Sequence, residues 1–283
     1  MVPFKAICLT VFSIVLMFSQ ASALEICGKL QQGELLLIKD INGKQISWNN
    51  KQYSMSDGEV LIAVPRDAAQ TMNLVVYPSG QAGILYHLPI EQTKWNIQYV
   101  KGVAEHHVTP NKQHQQEIAR EQKDVQTALA TLSDDIFWHD GFIEPVKGRI
   151  SGQFGNQRIF NGIPKSPHNG TDIAASESTP VKSAGKGKVV LSGHDYFYTG
   201  NMVVIDHGQG LHTIYAHLQK TAVQLGDVVQ KGDIIGYVGH TGRAVGAHLH
   251  WGASWHGIRF RPHALLELND TQCHKIEGKY LGE

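Results

Sequence analysis

With 283 residues, 42% hydrophobic and 18% charged, the chain has enough apolar material for more than one packed core, which excludes a charge-extended disordered polymer. Its 25 basic residues balance 25 acidic ones, so there is neither a basic field for nucleic acid nor a polybasic stripe for an anionic membrane surface.

At the start of the chain Lys5 precedes an apolar run, Ala6 to Phe18, followed by Ser19-Gln20-Ala21-Ser22-Ala23, a small-residue cleavage pattern. Residues 1–23 read as a secretory signal peptide cut before Leu24, because the run falls short of the roughly 20 apolar residues of a membrane span. Lipidation at Cys27 is disfavoured by Ile26, which stands where a small residue is wanted. The mature chain is then exported, carries 24 basic against 25 acidic residues once Lys5 is gone, and has no later segment apolar enough to cross a bilayer. Cleavage removes Cys8 and leaves Cys27 and Cys273, one near each end. In an oxidising compartment these two predict one disulfide. Neither has the C-x-x-C partner of a thiolate zinc site.

Between residues 24 and 103 short apolar or alternating runs follow one another: 34–38, 45–48, 59–64, 72–77, 83–87 and 95–99. Asn42-Gly43, Asp57-Gly58 and Pro78-Ser79-Gly80 separate some of them, which is the spacing of a small β-sandwich. No residue in it suggests catalysis; it reads either as an immunoglobulin-like binding or positioning module or as a structural cap. Residues 104–140 change character. Ile118, Val125, Leu129 and Leu132 form an apolar stripe on a Gln- and Lys-rich helix, limited by Pro110 and Gly141. The simplest expectation is a connecting helix packed on one of the domains; a sharper one is that it partly covers a cleft. Residues 141–268 are again β-rich, with strands predicted at 187–191, 202–206, 213–217, 234–238 and 247–252 among many turn glycines. Residues 269–283 read as a tail.

Three short segments of this last region carry the chemistry. In Gly246-Ala247-His248-Leu249-His250-Trp251-Gly252 the two histidines are two apart on a strand, so both project from one face. In His168-Asn169-Gly170-Thr171-Asp172 a loop running into a strand can aim an imidazole and a carboxylate at one point. Thr213-Ile214-Tyr215-Ala216-His217-Leu218 adds a third histidine strand. Two imidazoles and one carboxylate make an N/O ligand set that suits Zn²⁺ and leaves a fourth tetrahedral position open, with two histidines to spare for acid/base work. The other histidines of the region, His194, His207, His212, His240, His256 and His263, read as surface or hydrogen-bonded residues, His207 as part of a turn. Tyr198 reads as core packing, with a place at a groove rim as its second reading.

His168-x-x-x-Asp172, Tyr215-x-His217-Leu218 and His248-x-His250 occur in the order of the lysostaphin/LytM-like metallopeptidases of family M23, which residues 145–265 resemble. Further matches are Gly155-Asn156-Gln157-Arg158, the run ending Asp206-His207-Gly208, and the segment Leu225 to Asp233. The resemblance implies an open antiparallel sheet forming a groove with one zinc per chain at its floor. His168, Asp172 and His250 would be its ligands, and His217 and His248 the catalytic histidines. The implied substrate is peptidoglycan, cut in its peptide stems or cross-links by an exported endopeptidase. The order of sandwich, helix and metallopeptidase is similar to a two-domain proteobacterial type, which points to a Gram-negative periplasm and a D-alanyl-diaminopimelate link. The alternative is a non-catalytic LytM-like binding module or activator of another wall hydrolase. Such relatives typically lack some of these five residues, and all five are present here.

Overall fold

The computed structural model describes residues 23–40, 42–268 and 272–281. The signal segment expected at 1–23 lies outside them except for Ala23. Strands dominate, and no helix among the described residues is long and apolar enough to cross a membrane.

Two antiparallel sheets form the first core. One runs Cys273–Glu277, Ala23–Cys27, Leu35–Lys39, Glu59–Ala63; the other runs Lys279–Tyr280, Ile84–Pro89, Thr71–Pro78, Gly43–Trp48, Lys51–Ser54. The period of two decides which side chains go inward: Leu74 and Val76, or Ile84, Tyr86 and Leu88, are buried while their neighbours face out or lie at the margin. Trp48, wholly buried in the second sheet, donates its indole N–H to the Ala63 carbonyl of the first at 3.0 Å and ties the layers together.

Two elements differ from the expected layout. The segment read as a tail supplies an edge strand to each sheet, and Cys273 sits directly across from Cys27, with which it forms a disulfide. Its run Cys-His-Lys-Ile-Glu is mostly exposed and shows no apolar alternation, so only pairing makes it a strand. The strand Ile97–Val100, grouped by spacing with the sandwich, pairs instead in parallel with Gln157–Phe160. Ile97 and Tyr99 are exposed there, and Gln98 reaches the Ser151 carbonyl and accepts from Arg158.

Most strands of the third region form one ten-stranded sheet. Its main path runs Val228–Val229, Gly187–Tyr196, Gly200–Asp206, Leu211–Thr221, His248–Trp255, Thr171–Ala174, Arg149–Gly152, every neighbour antiparallel. Gly200–Asp206 is buried at every residue because both faces of the sheet are covered. Val203, Ile205, Tyr215 and Trp251 face the main core, while Met202, Val204, Ile214 and Ala216 face the helix Lys112–Leu129 through Ala128 and Leu129. Asn111 caps that helix by accepting from His114 N–H at 2.9 Å. Leu132, expected on its apolar stripe, lies beyond the helix end and is 64% exposed, and the next residue, Ser133, donates to Asp206 at 2.7 Å.

Candidate metal centre and the groove around it

Asp172 and His250 are cross-strand partners on adjacent antiparallel strands. His250 Nδ1 lies 2.8 Å from Asp172 Oδ1, and His168 Nε2 lies 3.0 Å from His250 Nδ1 and 3.1 Å from Asp172 Oδ1. His168 comes from the preceding loop, which is pinned by His168 N–H to Asn156 carbonyl (2.9 Å) and Gly155 N–H to His168 carbonyl (2.8 Å). Gly170 is required between them: a Cβ there would stand 2.6 Å from the Trp251 carbonyl and 2.7 Å from the His250 ring.

The donor set fits a metal ion. These three atoms lie within 4.8 Å of one another. A tetrahedral ion with bonds of about 2.0–2.1 Å needs ligand spacings of about 3.3 Å, close to the observed triangle. The second nitrogen of His168, Nδ1, bonds the Gln153 carbonyl at 3.0 Å, so the Nδ1–H tautomer leaves the Nε2 lone pair free to ligate. Burial lowers His168, and it lowers His250 to about 4 against the opposing pull of Asp172, so both rings are neutral at neutral pH. Burial would raise Asp172, but its contacts with His168 and His250 outweigh burial and hold the acid well below the usual carboxylate range. Arg158 contacts the other carboxylate oxygen, Asp172 Oδ2.

Beside this triangle stand His217 and His248, their ring centroids 4.8 Å apart, with His217 6.0 Å from His250. His217 has φ +61°, a left-handed conformation within its strand Leu211–Thr221. The register of Leu211–Thr221 against Gly200–Asp206 slips at this point, between Tyr215 and Leu218. Such backbone costs about 1–3 kcal/mol in a non-glycine residue and is found where surroundings over-determine it. Here His217 N–H bonds the Thr199 carbonyl and its Nδ1 bonds the Thr241 carbonyl, both at 2.8 Å. His248 Nδ1 bonds the Gly246 carbonyl at 2.8 Å, and its Nε2 lies 3.8 Å from Asp172 Oδ1. Burial, with neighbouring His248 and His250, pushes His217 well below its ordinary value.

All five residues singled out from the sequence therefore come together. A groove of about 970 Å³ opens onto His168, His217 and His250, and the helix Lys112–Leu129 forms one of its walls through Ile118, Glu121 and Val125. A smaller groove of about 240 Å³ reaches Asp172, His217 and His248 from the side of Gln98 and Val103. Tyr198, expected in the core, lines the larger groove, with Phe197 buried beside it. His207 is a hydrogen-bonded residue at the edge of the turn 208–211, and it is wholly buried, its nitrogens 2.6 Å from the Lys186 carbonyl and 2.7 Å from Thr213 Oγ1. The residues that orient the centre, Gln153, Thr241 and Gly246, act through backbone carbonyls, which any residue type offers and no sequence pattern marks. Arg243, on the loop before His248, carries no such excuse: an arginine four residues from Ala247 in a glycine-rich turn is a visible signal, and it lines both grooves.

Residues 166–262 match Peptidase family M23. The chain is 38% identical over 138 residues to the peptidoglycan DD-endopeptidase ShyA of Vibrio cholerae serotype O1, covering 48% of this chain and 31% of that protein. It is 40% identical over 121 residues to the DD-carboxypeptidase/endopeptidase Mpg of Neisseria meningitidis serogroup B, covering 42% of this chain and 28% of that protein. The chain thus spans about a third of the length of these curated relatives. A Pseudomonas aeruginosa crystal structure described as a peptidase M23 superposes with a TM-score of 0.66 at 26% identity, covering 84% of this chain and 95% of that one, so the likeness extends beyond the matched domain to most of the fold. The three-residue cluster and its two flanking histidines lie within residues 166–262, and through this segment the chain carries a domain of peptidase family M23.

Proposed function

We infer that the protein is an exported, zinc-dependent endopeptidase that hydrolyses peptide cross-links of peptidoglycan in the periplasm. The observation that carries this reading is the convergence of His168 Nε2, Asp172 Oδ1 and His250 Nδ1 on one point, with His217 and His248 beside it at the meeting of two grooves. The relatives named as peptidoglycan DD-endopeptidases support the substrate class. His168, Asp172 and His250 would hold the zinc. When bound there, the ion supplies Lewis-acid polarisation of the scissile carbonyl and acidifies an attacking water.

The remaining work belongs to the chain's own residues. Arg158, in contact with Asp172 Oδ2, favours the ionised acid, and the Gln153 carbonyl keeps His168 in the ligating tautomer. His217 and His248 each bond a backbone carbonyl through Nδ1, so each presents Nε2 as a proton acceptor. One takes the water proton as general base; the other, once protonated, donates to the carbonyl oxygen or the leaving amine, and the pair shares these roles. The grooves hold the peptide extended across the centre and displace water from it.

Digestion of purified Gram-negative sacculi, with products identified by mass, tests the reading. Conversion of cross-linked dimers to monomers by the zinc-loaded protein, abolished by His248→Ala, is the expected result. Intact dimers after incubation with a folded, zinc-loaded chain would overturn it and favour the activator reading.

A further inference from the structure

The side chains lining the larger groove have lopsided charge. Lys51, Arg158, Lys165, Arg243 and Arg259 face it, against one carboxylate, Glu121. Several of these are already engaged. Glu121 accepts from Phe197 N–H at 2.9 Å, Arg158 holds Asp172 and Gln98, and Lys165 donates to the Val108 carbonyl at 2.6 Å.

Arg243 differs from the others. It alone among the five cations, apart from the engaged Arg158, lines both grooves, and it shares both with His217. Its guanidinium carbon lies 4.1 Å from the centroid of Tyr198 and 4.7 Å from that of Phe160, so two aromatic faces hold the planar group. Among the described residues no carboxylate pairs with it. Its loop is built to hold it there. Arg243 N–H bonds the Tyr198 carbonyl at 2.9 Å, and Gly242, at φ +68°, passes so close to the opposite chain that a Cβ would stand 2.4 Å from Gly200 N. Burial lowers its pKa to about 10, which still leaves it charged at neutral pH. A half-buried, rigidly held cation without an anion is costly unless a ligand supplies one.

We propose that Arg243 is a specificity-determining residue that pairs with a substrate carboxylate next to the scissile bond. This role rests on the reading of the centre as a peptide hydrolase. The chemistry narrows the substrate. In a D-alanyl-diaminopimelate cross-link, the leaving nitrogen sits on a carbon that bears a free carboxylate. In a link through a lysine side chain the same carbon carries only hydrogen. A planar guanidinium beside the centre takes such a carboxylate in a two-point hydrogen-bonded pair, which an amide in its place cannot match.

The test uses two cross-linked muropeptide dimers that differ only at this carboxylate, free in one and amidated in the other. Their affinities are measured by calorimetry on the zinc-loaded full chain carrying His248→Ala, which prevents turnover. The free acid is expected to bind at least ten-fold more tightly. Adding Arg243→Gln should weaken the acid about ten-fold and leave the amide unchanged, while Arg243→Lys should recover part of the preference. Equal affinities for the two dimers, or no binding of either, would overturn the proposal without reliance on any Arg243 variant folding. Turnover by the wild-type chain is read separately. Hydrolysis with equal affinities removes the role of Arg243 and leaves the hydrolase; a ten-fold preference without hydrolysis keeps the carboxylate site and removes the hydrolase.

Discussion

Asp172 and His250 face each other across a pair of antiparallel strands, with Oδ1 and Nδ1 2.8 Å apart. Because cross-strand partners share a face, the sheet itself places two of the three candidate ligand atoms, and only His168 has to be delivered by a loop.

Removing one of these ligands should separate binding from chemistry. His250→Ala is expected to lower zinc occupancy and activity together, with metal affinity falling at least ten-fold, whereas His248→Ala keeps the zinc and loses turnover. Elemental analysis of the two purified variants beside their rates checks this, and retention of full zinc by His250→Ala would reject the ligand assignment.

Chelation should act on the fold as well as on activity. Without an ion, Asp172 and two buried imidazoles remain as a desolvated polar cluster, so a metal-free preparation should melt at a lower temperature and regain both melting point and hydrolysis on addition of one equivalent of zinc. Undiminished hydrolysis in a demonstrably metal-free protein would refute the zinc requirement.

The left-handed His217 gives a test of its own. Asparagine tolerates that backbone region, so His217→Asn should fold and bind zinc normally while turnover falls by about 10²- to 10⁴-fold, the usual contribution of a positioned acid or base. Activity within a few-fold of wild type would remove His217 from the machinery.

His207 links stability to pH. Burial lowers it from 6.5 in the unfolded chain to about 4 in the fold, so below pH 6.5 the unfolded state binds a proton that the folded state refuses. The stabilisation present above 6.5 is therefore lost as pH falls from 6.5 towards 4, by up to about 1.4 kcal/mol per pH unit. Melting curves at pH 7.5 and pH 5 should show a shallower loss for His207→Gln than for the wild type, and identical slopes would count against it.

The disulfide joins Cys27 to Cys273 across a sequence separation of 246 residues and so closes a very long loop. Loop-closure entropy alone puts its contribution at about 5 kcal/mol. Replacing both cysteines by serine should lower the melting temperature and, since neither lines the grooves, leave the initial hydrolysis rate nearly unchanged below it. A large loss of rate at a temperature where the variant is fully folded would show that the first sandwich helps shape the site.

Local pattern carried much of this molecule. Alternation in Thr71–Pro78 follows directly from side-chain period, and so does the shared face of His248 and His250. Pro110 marks the start of the helix and Asn111 caps it, a local signal because capping is a matter of a few adjacent residues. Where a feature depends on a partner distant in the chain, pattern fails. The exposed strand Cys273–Glu277 exists only by pairing with Ala23–Cys27, and Ile97–Val100 finds its partner sixty residues on.

The same division runs through the site. Composition and spacing determined that the chain holds an N/O ligand set and two further histidines on strands, since donor chemistry and periodicity are local properties. Tertiary structure decided that Asp172 faces His250, that Gly170 lets the His168 loop close against them, and that Gln153, Thr241 and Gly246 turn the rings. It also decided that Arg243 stands between two aromatic faces without an acid. These are facts of strand register, close backbone approach and carbonyl direction, which arise when segments far apart in the chain meet, and no local pattern encodes them.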